Sequence, residues 1–322
     1  MRIRDAKLIV GDCREALSRI PDQSVQTCVT SPPYWGLRDY GQGDQIGLEQ
    51  TPEAYTAELV EVFREVRRVL RDDGTLWLNL GDSYAGSSQT GGIAPSWGCN
   101  RKDIKKTHAP NRKTPESLKP KDLVGIPWRV AFALQADGWS LRSDIIWHKP
   151  NPMPESVTDR PTKAHEYLFL LTKAARYYYD AGAIREKSAN PERCGKIEKS
   201  FSTSSQTVTM RGDVGREVLR TDHRNKRSVW TIPTNSFPGA HFAVMPPGLV
   251  EPCILAGSKP GDLVLDPFAG AGTVLLVAAQ HDRRSVGVEL NPEYAQIARG
   301  RIEAWRDSDE SRQAHLFEEV AP

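Results

Sequence analysis

Leu263-Val264-Leu265-Asp266-Pro267-Phe268-Ala269-Gly270-Ala271-Gly272-Thr273 is an apolar run that ends in an acid and turns through two glycines into a helical pattern. Such a bend leaves the backbone bare where a nucleotide has to approach, and it aims the free N–H groups of the helix start at the ligand. The next apolar run, Ser285-Val286-Gly287-Val288-Glu289-Leu290-Asn291, also finishes in an acid, a placement that suits the paired ribose hydroxyls of an adenosine. The bend is not a dinucleotide fingerprint, because the third glycine of Gly-x-Gly-x-x-Gly would fall at the bulky Leu275.

Outward from this point, seven segments read as strands: Lys7–Gly11, Val25–Thr30, Thr75–Leu80, Arg142–His148, Glu166–Thr172, Leu263–Asp266 and Ser285–Glu289. Amphipathic stretches lie between them. The clearest is Pro52 to Leu70, where Leu59, Val62, Phe63, Val66, Val69 and Leu70 recur at helical spacing and Asp72-Asp73-Gly74 closes the pattern. Trp128 to Ala136, Pro247 to Leu255 and Thr273 to His281 predict further helices. Strands alternating with helices predict an α/β fold with a mostly parallel sheet covered on both faces.

Composition narrows the class. With 322 residues, 39% hydrophobic and 26% charged, the chain can bury one large core, and no apolar run nears the roughly 20 residues that span a bilayer. The opening Met1–Leu8 passes from charged residues straight into a strand-like run, which predicts a cytoplasmic protein with no membrane partner. Five cysteines, Cys13, Cys28, Cys99, Cys194 and Cys253, lie far apart, so neither a disulfide framework nor a metal site is expected. A net charge of +2 decides nothing, but the distribution does. Residues 84–124 carry Arg101, Lys102, Lys105, Lys106, Arg112, Lys113, Lys119 and Lys121 against few acids, and residues 186–230 repeat the pattern with Arg193, Arg211, Arg224 and Arg227 among others. Each run taken alone fits a solvated loop.

After the apolar strand Val25–Thr30 comes Ser31-Pro32-Pro33-Tyr34-Trp35-Gly36-Leu37-Arg38. Two consecutive prolines fix φ and leave carbonyls without local N–H partners, which makes a stiff corner with acceptors facing out. An amino group conjugated to a base is a poor nucleophile, because its lone pair is delocalised into the ring. The Ser31 hydroxyl and the Pro32 carbonyl can hold both amino hydrogens and favour a pyramidal nitrogen, Pro33 stiffens the turn, and Tyr34 offers a stacking face.

Thr30-Ser31-Pro32-Pro33-Tyr34 together with Asp266-Pro267-Phe268-Ala269-Gly270-Ala271-Gly272-Thr273 resembles the amino-methylating DNA methyltransferases, in the beta-type motif order of catalytic corner, basic insertion and cofactor loop. The resemblance implies a Rossmann-like, circularly permuted, seven-stranded fold with the Lys7–Gly11 strand beside Ser285–Glu289. It implies S-adenosylmethionine as cofactor, held by Asp12, Phe242, Asp266, Phe268, Gly270, Gly272, Thr273, Glu289 and Asn291. It implies a base flipped out of double-stranded DNA, with Arg38, Lys105, Lys106, Arg211, Arg224, Asn225 and Arg227 as candidate DNA contacts. Ser31, where others of the family carry Asp or Asn, resembles the cytosine-N4 group. Adenine N6, an amino group of RNA or of a protein glutamine, and a non-catalytic nucleic-acid-binding module stay open as alternatives. A homodimer and a cognate restriction endonuclease are also left open as partners, and no self-complementary helix stands out to establish the dimer. The expected division is a catalytic domain over 1–83, 125–185 and 236–306, a basic insertion over 84–124, a target-recognition region over 186–235 and an acidic tail over 307–322. Cys253 in Glu251-Pro252-Cys253 sits in an apolar helical pattern and reads as core, and His148 in Trp147-His148-Lys149-Pro150-Asn151-Pro152 reads first as structural.

Overall fold

The computed structural model describes residues 5–37, 43, 45–86, 117–188, 223–234 and 244–320, with side chains as far as residue 308. Arg38, Lys105, Lys106, Arg211 and Phe242 lie outside the described residues. The elements, in chain order, are β1 (Ala6–Val10), α1 (Cys13–Ser18), β2 (Val25–Thr30), α2 (Pro52–Val69), β3 (Leu70–Leu80), α3 (Ile126–Ala136), β4 (Ser140–His148) and β5 (His165–Thr172), followed by β6 (Glu186–Lys187), β7 (His223–Arg224), β8 (Val229–Thr231), α4 (Pro247–Gly257), β9 (Leu263–Asp266), α5 (Thr273–Gln280), β10 (Arg284–Glu289) and α6 (Pro292–Val320).

The main sheet has eight strands in the order β1-β10-β9-β2-β3-β5-β4-β8. β1 through β3 in that order run parallel, β5 is antiparallel to both its neighbours, and β8 is parallel to β4. β1 lies beside β10 in register, Ala6 opposite Ser285 and Val10 opposite Glu289, as the permuted order implies. The carboxyl ends of β9, β10, β2 and β3 therefore share one edge, where open sheets of this kind hold ligands. The antiparallel turn of β5 brings its first residues, His165 and Glu166, to that same edge.

Helices cover both faces. On one side α1, α2 and α3 pack on the sheet through Leu17, Tyr55, Leu59, Phe63, Val66 and Val130, all buried. On the other, α4 and α5 contribute Val250, Ile254, Val274 and Val277, joined by Ile302 of α6. The helical period of α2 is literal: Tyr55, Leu59, Phe63 and Val66 are 0% exposed, and each such side chain contributes roughly 1.5–3 kcal/mol by leaving water. Thr51 caps the helix start by accepting from the Ala54 amide, with Pro52 in the first turn.

Three features differ from the sequence reading. The sheet has eight strands, not seven, because Val229–Thr231 adds β8 at the β4 edge. Three residues are too few to carry a period of two, and Arg224, Lys226 and Arg227 in front of them signal a loop. β3 reaches back to Leu70, so Asp72-Asp73-Gly74, the expected helix stop, belongs to an irregular start of the strand. The tail expected as an acidic extension is the continuation of α6 to Val320. Among the described residues no helix is long and apolar enough to cross a membrane.

Candidate active site

The diproline corner and the glycine bend meet. β2 and β9 are adjacent and parallel, Thr27 opposite Val264 and Cys28 opposite Leu265, so their last residues finish side by side. The Thr30 hydroxyl donates to Asp266 Oδ1 at 2.7 Å, and the Phe268 amide donates to the same oxygen at 3.1 Å. One buried carboxylate thus ties the start of the corner to the start of the bend. Burial pushes the Asp266 carboxyl up to about 7; the Thr30 hydroxyl and Phe268 amide pull against that rise, and the Glu289 charge adds to it.

Beyond Asp266 the bend is held by the neighbouring strand. Ala269 N–H donates to Val288 O at 2.8 Å, and Gly270 N–H donates to Glu289 Oε2 at 2.7 Å. The other Glu289 oxygen accepts from Asn291 N–H at 2.8 Å. Burial raises the Glu289 carboxyl above its ordinary range, and these amides oppose the rise.

Gly272 has φ +73°, and a Cβ there would sit 2.8 Å from Ala298 Cβ. Its lack of a side chain thus admits α6 as well as shaping the bend. Arg301 on α6 completes the support, donating to Ala271 O at 2.5 Å and to Thr273 Oγ1 at 3.2 Å. Phe268 is half-buried at the lip.

Asp12 follows β1 beside this bend, since Gly11 N–H donates to Glu289 O at 3.0 Å. Its carboxylate caps α1 through the Arg14 amide at 2.7 Å and is gripped by the Arg14 guanidinium, which holds it below the usual range. Asn291 likewise caps α6, its Oδ1 accepting from Glu293 N–H at 2.8 Å. Both side chains have structural occupations that the sequence reading did not anticipate.

At the corner, Tyr55 Oη donates to Pro33 O at 2.8 Å, which takes one of the two proline carbonyls. The Tyr34 ring lies against Gly81, where an added Cβ would come within 2.5 Å of Tyr34 Cε2. Tyr34 Oη donates to Glu166 Oε2 at 2.7 Å, with Asn79 Oδ1 at 3.1 Å and Ser31 Oγ at 3.3 Å around it. Lys149 pairs with the other Glu166 oxygen and lies over the Trp147 ring at 4.3 Å. Burial, then the Glu166 charge, pushes the Tyr34 hydroxyl far above its ordinary range. Asn79, Lys149 and Glu166 were missed in the sequence, where they read only as polar residues at strand ends. The available signal was an acid opening the otherwise apolar run Tyr167–Leu171.

Cations gather around this edge. Burial holds the Lys163 ammonium below the usual lysine range, with Asp82 and Glu166 opposing. Arg160 stacks over Tyr84 at 3.8 Å. Of the candidate DNA contacts, Arg224 and Arg227 both pair with Glu186 Oε1, at 2.8 and 2.6 Å, and Asn225 is exposed just after β7. His148 pairs with Thr231 Oγ1 at 3.1 Å across the β4–β8 ladder. Cys253 is fully buried and its thiol faces Leu249 O, with burial pushing the thiol far above its ordinary range.

Comparison with known proteins gives concordant matches. A family model described as DNA methylase matches residues 25–300. The chain is 50% identical over 303 residues to the type II methyltransferase M.Cfr9I of Citrobacter freundii, covering 94% of this chain and 89% of that one. Among solved structures, TTHA0409 of Thermus thermophilus complexed with S-adenosyl-L-methionine is 27% identical with a TM-score of 0.56, over 92% of this chain and 93% of that chain. The cytosine-N4-specific PvuII DNA methyltransferase, 18% identical, shares the fold with a TM-score of 0.60 over 91% of this chain and 85% of that chain.

Proposed function

The chain belongs to the DNA methylase family that acts on base amino groups, and on that premise we propose that it methylates the N4 amino group of a cytosine flipped out of duplex DNA, with S-adenosylmethionine as donor. The observation that carries the reading is the Thr30–Asp266 hydrogen bond of 2.7 Å, which brings the amine-gripping corner and the nucleotide bend together at one sheet edge.

The residues around the bend fit the cofactor. Glu289, with both oxygens anchored by the Gly270 and Asn291 amides, is oriented to accept ribose hydroxyls, and Gly270 and Phe268 beside it are both half-buried. When bound there, S-adenosylmethionine supplies an electrophilic methyl group. On the other side, the Ser31 hydroxyl and the Pro32 carbonyl hold the two amino hydrogens, which favours a pyramidal nitrogen with its lone pair aimed at the methyl carbon. No covalent enzyme intermediate is needed, in keeping with the fully buried Cys253 thiol.

The choice of cytosine over adenine rests on Ser31, which resembles the first residue of the N4 group's tetrapeptide. Flipping costs a few kcal/mol, and phosphate contacts from the basic insertions offset it. The type II designation of the relatives makes a restriction endonuclease with the same target part of this reading.

The test is incorporation of labelled methyl groups into duplex DNA, followed by nucleoside separation. N4-methylcytosine is expected in the wild-type product, and Ser31→Ala should lower single-turnover transfer by about a hundredfold or more while cofactor affinity is kept. N6-methyladenine as the sole product would overturn the base assignment, and full activity of Ser31→Ala would overturn the role of the corner.

A further inference from the structure

We propose that Ser31, Tyr34 and Glu166 form a hydroxyl relay that carries the surplus amine proton away from the target base, with Lys149 holding the terminal carboxylate. The inference rests on the amine-gripping role of Ser31 and adds the destination of the proton.

The chemistry requires one. The amino nitrogen forms its new N–C bond as the S–C bond breaks, the electron pair of that bond staying on sulfur. The nitrogen is then left with two hydrogens, the methyl group and a positive charge. One proton has to go. Ser31 cannot keep it, because a protonated alcohol is far too acidic to persist, so the hydroxyl is useful only if it passes a proton onward as it receives one.

The hydrogen bonds run in one direction. Ser31 Oγ donates to Tyr34 Oη at 3.3 Å. Tyr34 has a single proton and two candidate acceptors, Glu166 Oε2 at 2.7 Å and Asn79 Oδ1 at 3.1 Å. The shorter, charge-assisted bond wins, since a hydroxyl donating to a carboxylate is roughly twice as strong as one donating to a neutral amide. Asn79 is fixed around this line: its Nδ2 donates to Tyr167 O at 3.0 Å and to Glu166 Oε2 at 3.3 Å. With its own hydrogen committed to Tyr34, the Ser31 oxygen presents only lone pairs to the amine, which is the acceptor role assigned to it.

Transfer balances without a co-reactant. The amine proton moves to Ser31 Oγ, the Ser31 proton to Tyr34 Oη, and the Tyr34 proton to Glu166 Oε2. The base is left neutral and Glu166 becomes a carboxylic acid. The tyrosine never has to ionise, so its strongly raised phenol range is no obstacle to a concerted hop. Glu166 and Lys149 side chains are 15% and 18% exposed, enough contact with water for the acid to release its proton afterwards. Gly81 leaves room for the Tyr34 ring, and that packing keeps the middle of the relay in place.

Glu166→Gln keeps an oxygen to accept from Tyr34 but cannot take a proton. Single-turnover methylation of a duplex is expected to fall by about a hundredfold, with affinities for S-adenosylmethionine and duplex DNA unchanged. Tyr34→Phe breaks the relay while its ring still rests on Gly81; it should slow transfer to a similar degree, and the double variant should be no slower than either single one. A second readout needs no turnover: in the protein alone the Tyr34 hydroxyl proton should appear as a downfield NMR resonance, absent from Tyr34→Phe and shifted upfield in Glu166→Gln. Wild-type rates in Glu166→Gln, or multiplying losses in the double variant, would overturn the relay. Should Glu166→Gln not fold, Tyr34→Phe decides alone. If the relay is wrong but the corner reading right, Ser31→Ala stays inactive while Glu166→Gln turns over; if the corner reading is wrong, Ser31→Ala itself is active.

Discussion

Asp266 answers to two segments through one oxygen. Its Oδ1 accepts from both Thr30 and Phe268, so a proton on the acid has to reside on Oδ2. With the carboxyl pushed up to about 7 by burial, the folded protein holds that proton more tightly than an unfolded chain near 3.8. The sign follows from proton counting. A raised folded value contributes stability that is fully present below about 3.8 and is lost as pH rises through about 7, with a slope of up to ~1.4 kcal/mol per pH unit between those limits. Asp266→Asn mimics the protonated acid and removes this dependence. Urea unfolding of the two proteins from pH 4 to 8 should give a wild-type stability that declines relative to the variant across that window and levels off above it. A difference that stays flat would mean the acid is ionised throughout, with the Thr30 and Phe268 bonds outweighing its burial.

At the scale of elements, the small β6–β7 ladder decides how the second basic stretch is mounted. Glu186 pairs in register with Arg224 and Lys187 with His223, so residues 188 and 223 are brought together at the foot of that stretch. Burial works against the Glu186 charge, but the Arg227 and Arg224 guanidiniums prevail and hold the carboxyl below its ordinary range. These pairs are partly exposed, Arg227 by 67%, and such pairs add little to stability. Glu186→Gln should therefore keep the fold while releasing two cations. Duplex affinity at low salt should rise, and the salt dependence should steepen by up to ~0.9 log units per freed cation, as read by anisotropy titrations. A fall in affinity would show that the ion pairs shape the DNA-binding surface rather than compete with it.

The sequence allowed such arginines to be found but not their partners. Hydrophobic period and end-of-strand acids located β2, β9 and β10 together with Ser31, Asp266 and Glu289, because those signals are local. The ladder between Glu186 and Arg224, the β8 edge and the Tyr34–Asn79–Glu166 cluster depend on residues brought together from distant parts of the chain, and two- or three-residue strands leave no period to read.

For the whole molecule, the sheet order puts the reacting edge in one place and leaves the two basic insertions at different mounts. The first leaves after β3 and returns to α3 through a zipped stem: Ala85 N–H donates to Asp122 O at 2.8 Å, and Val124 N–H to Ser83 O at 3.0 Å. Asp82 Oδ1 then accepts from the Gly125 and Ile126 amides, at 2.9 and 3.0 Å, at the start of α3. The second leaves from the β6–β7 ladder beside the β8 edge, where Ile184 and Trp230 belong to the buried cluster under α4. Because the ladder already closes the foot, a short Gly-Ser turn can replace residues 189–222 without straining the sheet. Cofactor affinity and thermal stability of that variant should match the wild type. Its duplex affinity should fall and its salt slope shrink, since Arg193, Lys196, Lys199, Arg211, Arg216 and Arg220 leave with the segment and every phosphate no longer neutralised takes ~0.9 off the slope. An unchanged slope would assign phosphate binding to the insertion after β3, and the loss of target preference alone would assign residues 189–222 to reading bases.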